Sequence, residues 1–361
     1  MVFAVAILLS LSFLAIYSIG LSQDGQSFVL IKKQLLALGI GLLLAGVIGR
    51  SNYRWTRGFN TVIYGAAVIL LIGVLFFGQT ILGTTGWFSL FSVHFQPVEL
   101  VKLAIVIVLA NYFSKISQPL LSWRQIFFSA GLVGLPIFLT LLQPDLGSAL
   151  LLGAIWLIMI FLAGLRPRQF LVLFLLFSLL MILAWQFFLV DYQKARLVSF
   201  IDPASDPMGE GYNVHQAIIA VGSGGLFGRG LGFGSQSQLK FLPESQTDFI
   251  FAVIAEEFGL FGVILIFLGF YLFLQRLFRR ACTTGDSFTS FLLLGISALF
   301  FVSFVVNVGM NLGLLPVTGI ALPLVSYGGS SLIISLIMVG LGESVAGHDI
   351  SVSGGSEIKV R

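Results

Sequence analysis

Residues 169–190 read QFLVLFLLFSLLMILAWQFFLV, an apolar run without one charged side chain. A bilayer core about 30 Å thick needs about 20 apolar residues in helical form, so this stretch belongs in lipid. Comparable runs recur on both sides of it, at 2–20, 31–49, 61–78, 97–113, 124–143, 146–163, 248–275, 288–311 and 321–345. Backbone polar groups in hydrocarbon must be paired within the segment or in a closed barrel. The period-2 alternation of a barrel is absent. The expected fold class is therefore all-α, a polytopic membrane protein with about ten transmembrane helices.

Composition agrees with that expectation. Of the 361 residues, 58% are hydrophobic and 9% charged, with mean hydropathy +1.05, against roughly 45–50% apolar and about 25% charged in soluble domains. No segment is left for a sizeable water-facing core, so a single transmembrane domain is expected over 1–346. The Gly/Ser-rich stretch 347–361 reads as a polar flexible tail. The net charge of +4 comes from short basic clusters between apolar runs, which is the pattern of topology signals and gives no support to nucleic-acid binding. Cys282 is the only cysteine, so there is neither a disulfide framework nor a multi-cysteine metal site. The first run starts at Val2 with no charged n-region and no A-x-A site, and reads as a retained span.

Alternate connections carry Arg50, Arg54 and Arg57, then Lys115 and Arg124, then Arg166 and Arg168, then Arg276, Arg279 and Arg280. These are assigned to the cytoplasm, which puts both termini inside. One connection stands apart. Residues 191–247, on the outer side between the seventh and eighth helices, form a loop far longer than ordinary links. It contains the helix-capable stretch Asn213 to Val221 and many aromatic residues, so an ordered loop lying on or dipping into the membrane surface is expected.

Ionisable residues in or beside spans are costly and mark function. Glu99 and Lys102 open the fourth span three residues apart, on one helical face, after a Pro97 suited to a first turn. They either neutralise one another or form a polar pocket in which Lys102 meets a phosphate. Asp145, in Gln143-Pro144-Asp145-Leu146-Gly147-Ser148, suits a helix N-cap. Ser245 to Asp248 fits a capping box at the eighth helix. Asp248 also sits where the long loop meets the membrane, a place from which a carboxylate can act as general base on a sugar hydroxyl. Glu256 and Glu257 follow roughly 12 Å along that helix and need partners, either a basic residue of another span or an aqueous cavity. Seven glycines between Gly222 and Gly234 fit no P-loop or Rossmann pattern. They would allow close backbone approach to a ligand, with Arg229 at hand for a phosphate. His94, His215 and His348 make no metal motif.

Several stretches together resemble one family. They are Phe95-Gln96-Pro97-Val98-Glu99-Leu100-Val101-Lys102, the Gln143 to Ala149 segment, Gln236-Ser237-Gln238 through Leu242-Pro243-Glu244-Ser245-Gln246-Thr247-Asp248 to Ala252, Asn311 to Gly319, and Val325-Ser326-Tyr327-Gly328-Gly329-Ser330-Ser331. In this order they are similar to the shape, elongation, division and sporulation family of bacterial membrane proteins. Gln236-Ser237-Gln238 favours its elongation branch. The resemblance implies ten transmembrane helices and a peptidoglycan glycosyltransferase that joins lipid II units into glycan strands during elongation and shape maintenance. It places Asp248 at the catalytic aspartate and Glu99 and Lys102 at a functionally important pair. Arg196, Arg229, Asp145 and Ser326 are further substrate-binding candidates. Gly86 stands before Trp87 where the family often has Arg, which removes one phosphate contact. No cofactor is evident, and a divalent cation at the diphosphate is left open. Expected partners are lipid II, a class B penicillin-binding protein, the elongation machinery and membrane lipids. The rival reading is a lipid II flippase, a transporter whose site would lie near the midplane. A scaffold that only recruits other proteins leaves the buried charges without purpose.

Overall fold

The computed structural model describes residues 1–21, 27–81, 83–90, 93–187, 191–201 and 210–354. In chain order the elements are α1 (Val2–Leu21), α2 (Ser27–Arg50), α3 (Arg54–Gly58), α4 (Asn60–Phe77), β1 (Gln79–Ile81), β2 (Thr84–Leu90), β3 (Val93–Phe95), α5 (Pro97–Phe113), α6 (Trp123–Leu141), α7 (Leu146–Leu162), α8 (Pro167–Phe187), α9 (Asp191–Ile201), α10 (Glu210–Ser223), α11 (Ser235–Gln238), α12 (Ile250–Thr283), α13 (Ser287–Asn311) and α14 (Gly329–Gly354). Eight helices among the described residues are long and apolar enough to cross a bilayer. The expected fourth and sixth spans are α5 and α7, each of 17 residues. The chain is a multi-pass membrane protein.

α5 is the axis of the bundle. Its sequence is PVELVKLAIVIVLANYF; after Lys102 the run 103–110 is apolar on every side, and such a helix belongs inside. All of it except Leu100 and Tyr112 is buried, in a core shared with α1, α7, α12, α13 and α14. α8 is the opposite case. Only Gln169 and Leu173 of it are buried, and Leu, Phe and Val cover its remaining surface, as suits a helix bathed in lipid.

Three expectations need correction. Between α4 and α5 lies a three-stranded antiparallel sheet of order β1-β2-β3, pairing Gln79 with Trp87 and Ser89 with His94. Its Thr84-Thr85-Gly86-Trp87-Phe88 core has the β-branched and aromatic residues that strands favour, but a span-by-span hydropathy reading passes over it. The last span begins at Gly329 instead of residue 321, because 321–328 fold into turns around Pro323. Helix α14 runs to Gly354, past the boundary set for the tail at 346, and 355–361 lie outside the described residues.

Candidate active site

Four helices, α5, α7, α12 and α14, begin at one cavity of about 220 Å³. Each helix start carries a partial positive charge from the helix dipole. The strands wall one side through Ile81, Thr84 and Trp87. The turn Pro316 to Ala321 walls another. The Arg-bearing connections follow the far ends of α5, α7 and α12, so the cavity opens at the opposite end of the bundle, whose short connections carry few basic residues apart from Lys32 and Lys33 at the start of α2.

Glu99, Lys102, Asp145, Arg196 and Asp248 all line this cavity. Lys102 Nζ donates to Glu99 Oε1 at 2.7 Å, and both residues are less than a tenth exposed. The pair therefore is a salt bridge and also faces the cavity. Asp145 likewise serves twice. Its carboxylate accepts from Ser148 N at 2.9 Å as the N-cap of α7 while standing in the lining. With Glu244, the lining holds four carboxylates against the two cations Lys102 and Arg196. Tyr327 also lines it, and burial pushes its phenol above the ordinary range, so it remains a neutral hydroxyl.

Asp248 is placed by devices that sequence spacing did not reveal. The expected Ser245–Asp248 capping box is absent: α12 starts at Ile250, and its flanking Phe249 makes no side-chain cap. The cap comes from another helix. Asn311 on α13 accepts from Ala252 N at 3.1 Å and donates to the Asp248 carbonyl at 2.9 Å. Asn307, one turn earlier, donates to the same carbonyl at 3.1 Å and to Ile320 O at 2.9 Å. A carbonyl at Glu244 gathers the amides of Thr247 and Asp248, both at 3.1 Å. Two asparagines four residues apart in an apolar span were the available signal, since buried amides need partners.

Two candidates lie elsewhere. The Ser326 hydroxyl is committed to backbone, donating to Thr247 O at 2.6 Å and accepting from Leu322 N at 2.8 Å, so it braces the segment next to Asp248. Arg229 is outside the cavity lining. Its guanidinium donates to Ser235 Oγ at 2.9 Å and its backbone N–H to Glu256 O at 3.0 Å. The glycine-rich run packs on α12 and not on the cavity. Glu256 and Glu257 meet neither a basic side chain nor an aqueous cavity among the described residues. Their carboxylates accept from the amides of Gly232, Gln236 and Ser237 and from the hydroxyls of Ser18 and Ser235.

A family model named for FtsW, RodA and SpoVE and described as cell cycle protein matches residues 1–350. The chain is 37% identical over 327 residues to the peptidoglycan glycosyltransferase MrdB of Escherichia coli K12, spanning 91% of this chain and 88% of that one. It is 38% identical over 325 residues to stage V sporulation protein E of Bacillus subtilis strain 168, spanning 88% and 86%. The crystal structure of the rod shape determining protein RodA of Thermus thermophilus matches with TM-score 0.71 at 33% identity, over 95% of this chain and 94% of that one. A chain described in work on the structural coordination of polymerization and crosslinking by a peptidoglycan synthase complex matches with TM-score 0.80 at 34% identity, over 96% of both.

Proposed function

This chain belongs to the FtsW, RodA and SpoVE family of cell cycle proteins, and on that premise we propose how it works as a peptidoglycan glycosyltransferase of cell elongation. The observation that carries the mechanism is the meeting of Asp248, the Glu99–Lys102 pair, Asp145 and Arg196 in one cavity at the starts of four helices. The positive-inside rule turns this end of the bundle outward and puts both termini in the cytoplasm of a bacterial cell. The site then lies at the outer face of the cytoplasmic membrane, where two lipid II molecules can lie with their polyprenyl tails between helices.

In the reaction, the acceptor 4-hydroxyl oxygen attacks the anomeric carbon of the donor sugar. The bond from that carbon to the diphosphate oxygen breaks, and the diphosphate leaves with the electron pair. Asp248 takes the hydroxyl proton as general base, and the anomeric centre inverts. Lys102 and Arg196 meet the charge that develops on the leaving diphosphate, together with the dipoles of the helix starts. Fixed dipoles of this kind need no reorganisation during the reaction. Among the described residues no group of three or more Asp, Glu, His or Cys side chains could hold a metal ion, so a divalent cation would have to arrive with the diphosphate, attracted by the excess of carboxylates in the lining, and would supply further screening. A class B penicillin-binding protein is the partner that this reading assigns for crosslinking, within the elongation machinery. A site at one end of the bundle favours surface chemistry over the transporter reading, which would place it near the midplane.

The test is glycan-strand formation from purified lipid II, with the penicillin-binding partner present and its transpeptidation blocked. The wild-type chain is expected to form strands and a folded Asp248→Ala variant to form none. Equal strands from both would remove Asp248 from the chemistry.

A further inference from the structure

α12 is not continuous. At Gly259 its backbone turns to φ 64° and ψ −155°, which leaves the carbonyls before the break and the amides after it without helical partners. In hydrocarbon each such group costs several kcal/mol unless protein supplies a partner. Here the outer loop supplies partners for two carbonyls and two amides. Arg229 N and Gly230 N donate to Glu256 O and Glu257 O, both at 3.0 Å, and Leu260 N and Phe261 N donate to Gly225 O and Leu226 O at 2.9 and 3.3 Å. The approach is too close for side chains. A Cβ on Gly228 would lie 2.1 Å from Glu257 O, and one on Gly259 2.3 Å from Gly228 N.

The two carboxylates at the break fasten the loop from the other side. Glu256 accepts from Gln236 N at 2.8 Å and Ser237 N at 3.1 Å, the first amides of α11. Glu257 accepts through Oε1 from the Ser18 hydroxyl of α1 and from Gly232 N at 3.3 Å. Both residues are at most 1% exposed. Glu256 thus grips residues 236 and 237, and Asp248 directly precedes the helical segment that bears Glu256. The chain between them, 238–249, is a loop closed at both ends on one half-helix. Glu244, Thr247 and Asp248 on that loop line the cavity.

We propose that Glu256 and Glu257 are positioning residues for strand polymerisation, clamping the outer loop to the break in α12 so that Asp248 is held in register with Lys102 and the sugar hydroxyl. The assignment rests on the polymerase reading. Neither glutamate lines the cavity, so both act through the loop. A shift of about 1 Å at a reacting group can cost on the order of a hundredfold in rate.

The decisive comparison is Glu257→Gln with Glu257→Ala in the full chain, because Oε2 of Glu257 has no partner among the described residues and glutamine keeps the Oε1 acceptor. Strand formation is followed against lipid II concentration, and hydrogen exchange is followed at amides 229–238. Glu257→Gln is expected to keep kcat and exchange close to wild type. Glu257→Ala is expected to speed exchange over 229–238 and to lower kcat by roughly tenfold to a hundredfold with little change in KM. Should Glu257→Ala fold poorly, Gln236→Pro removes one clamp N–H without touching a carboxylate, and the same loss of kcat is expected. Unchanged exchange in Glu257→Ala refutes the clamp, and released exchange with undiminished kcat refutes the positioning role. Wild-type chain that forms no strands overturns the polymerase reading and the role with it, while the exchange comparison still decides the clamp.

Discussion

Asn311 and Asp248, 63 residues apart in sequence, are joined by a 2.9 Å hydrogen bond from the asparagine side chain to the aspartate carbonyl. The same asparagine caps the first turn of α12 through Ala252 N. The backbone of the proposed general base is thereby held from a neighbouring helix.

Replacing Asn311 should separate these two roles. Asn311→Ala leaves a buried carbonyl and a buried amide with fewer partners, at about 1–3 kcal/mol each, and should lower both the melting temperature in detergent and strand formation. Asn311→Asp keeps an acceptor for Ala252 N but loses the donor to Asp248. It should recover part of the stability and little of the activity. Recovery of full activity would mean that the Asp248 carbonyl needs no such tether.

The Glu99–Lys102 pair should respond asymmetrically to single and double changes. Lys102→Ala strands a buried carboxylate, a loss of about 3–5 kcal/mol, and should lower thermal stability and abolish strands. The double variant Glu99→Gln with Lys102→Met should melt closer to wild type and, on the proposed role of Lys102 at the diphosphate, remain inactive. A stable, active double variant would reduce the pair to charge neutralisation.

Arg196 and Arg229 should part company in kinetics. Arg196 lines the cavity, and Arg196→Ala should lower kcat/KM by about tenfold or more, the cost of one charged contact of about 1.5–3 kcal/mol. Arg229→Ala keeps the backbone N–H that meets Glu256 and should remain within about twofold of wild type, as expected of a surface change within about 0.5 kcal/mol. The reverse ranking would put the glycine-rich run back at the substrate.

Gly147, the second residue of α7, sits against the turn Pro316 to Ala321. A Cβ there would lie 2.0 Å from Thr318 O, so Gly147→Ala must spread the cavity wall at about 1–3 kcal/mol and should depress strand formation. Gly153→Ala, whose Cβ would meet Ile137 at 3.9 Å, serves as the control and should be silent in both melting and activity.

Strand formation should also be sensitive to chelation. Four carboxylates against two cations in the lining leave a diphosphate short of positive charge, so removing divalent cations should slow wild type and adding magnesium should restore it. Full activity in chelator would assign the whole task to Lys102, Arg196 and the helix starts.

Local signals were the legible part of this chain. The Glu99–Lys102 spacing and the Asp145 cap depend on residues within one turn, and both stand where the sequence placed them; the apolar runs do too, except the last, whose first eight residues fold as turns. Signals that involve partners far away in sequence were not legible. The Ser245–Asp248 pattern looks like a cap, but the cap is Asn311. The glycine run suggests a ligand, but its partner is a helix break that no spacing announces, because Gly259 lies in an otherwise ordinary apolar stretch. The sheet before α5 was hidden by its shortness beside the spans.

The enclosure of α5 carries one more consequence. At 17 residues it is about 26 Å long, shorter than a bilayer core of about 30 Å, yet protein surrounds it on nearly every side. Hydrophobic mismatch acts on helices that touch lipid. Changes in membrane thickness should therefore be taken up by tilting of peripheral helices such as α8, and catalysis should hold nearly constant across bilayers of different acyl length.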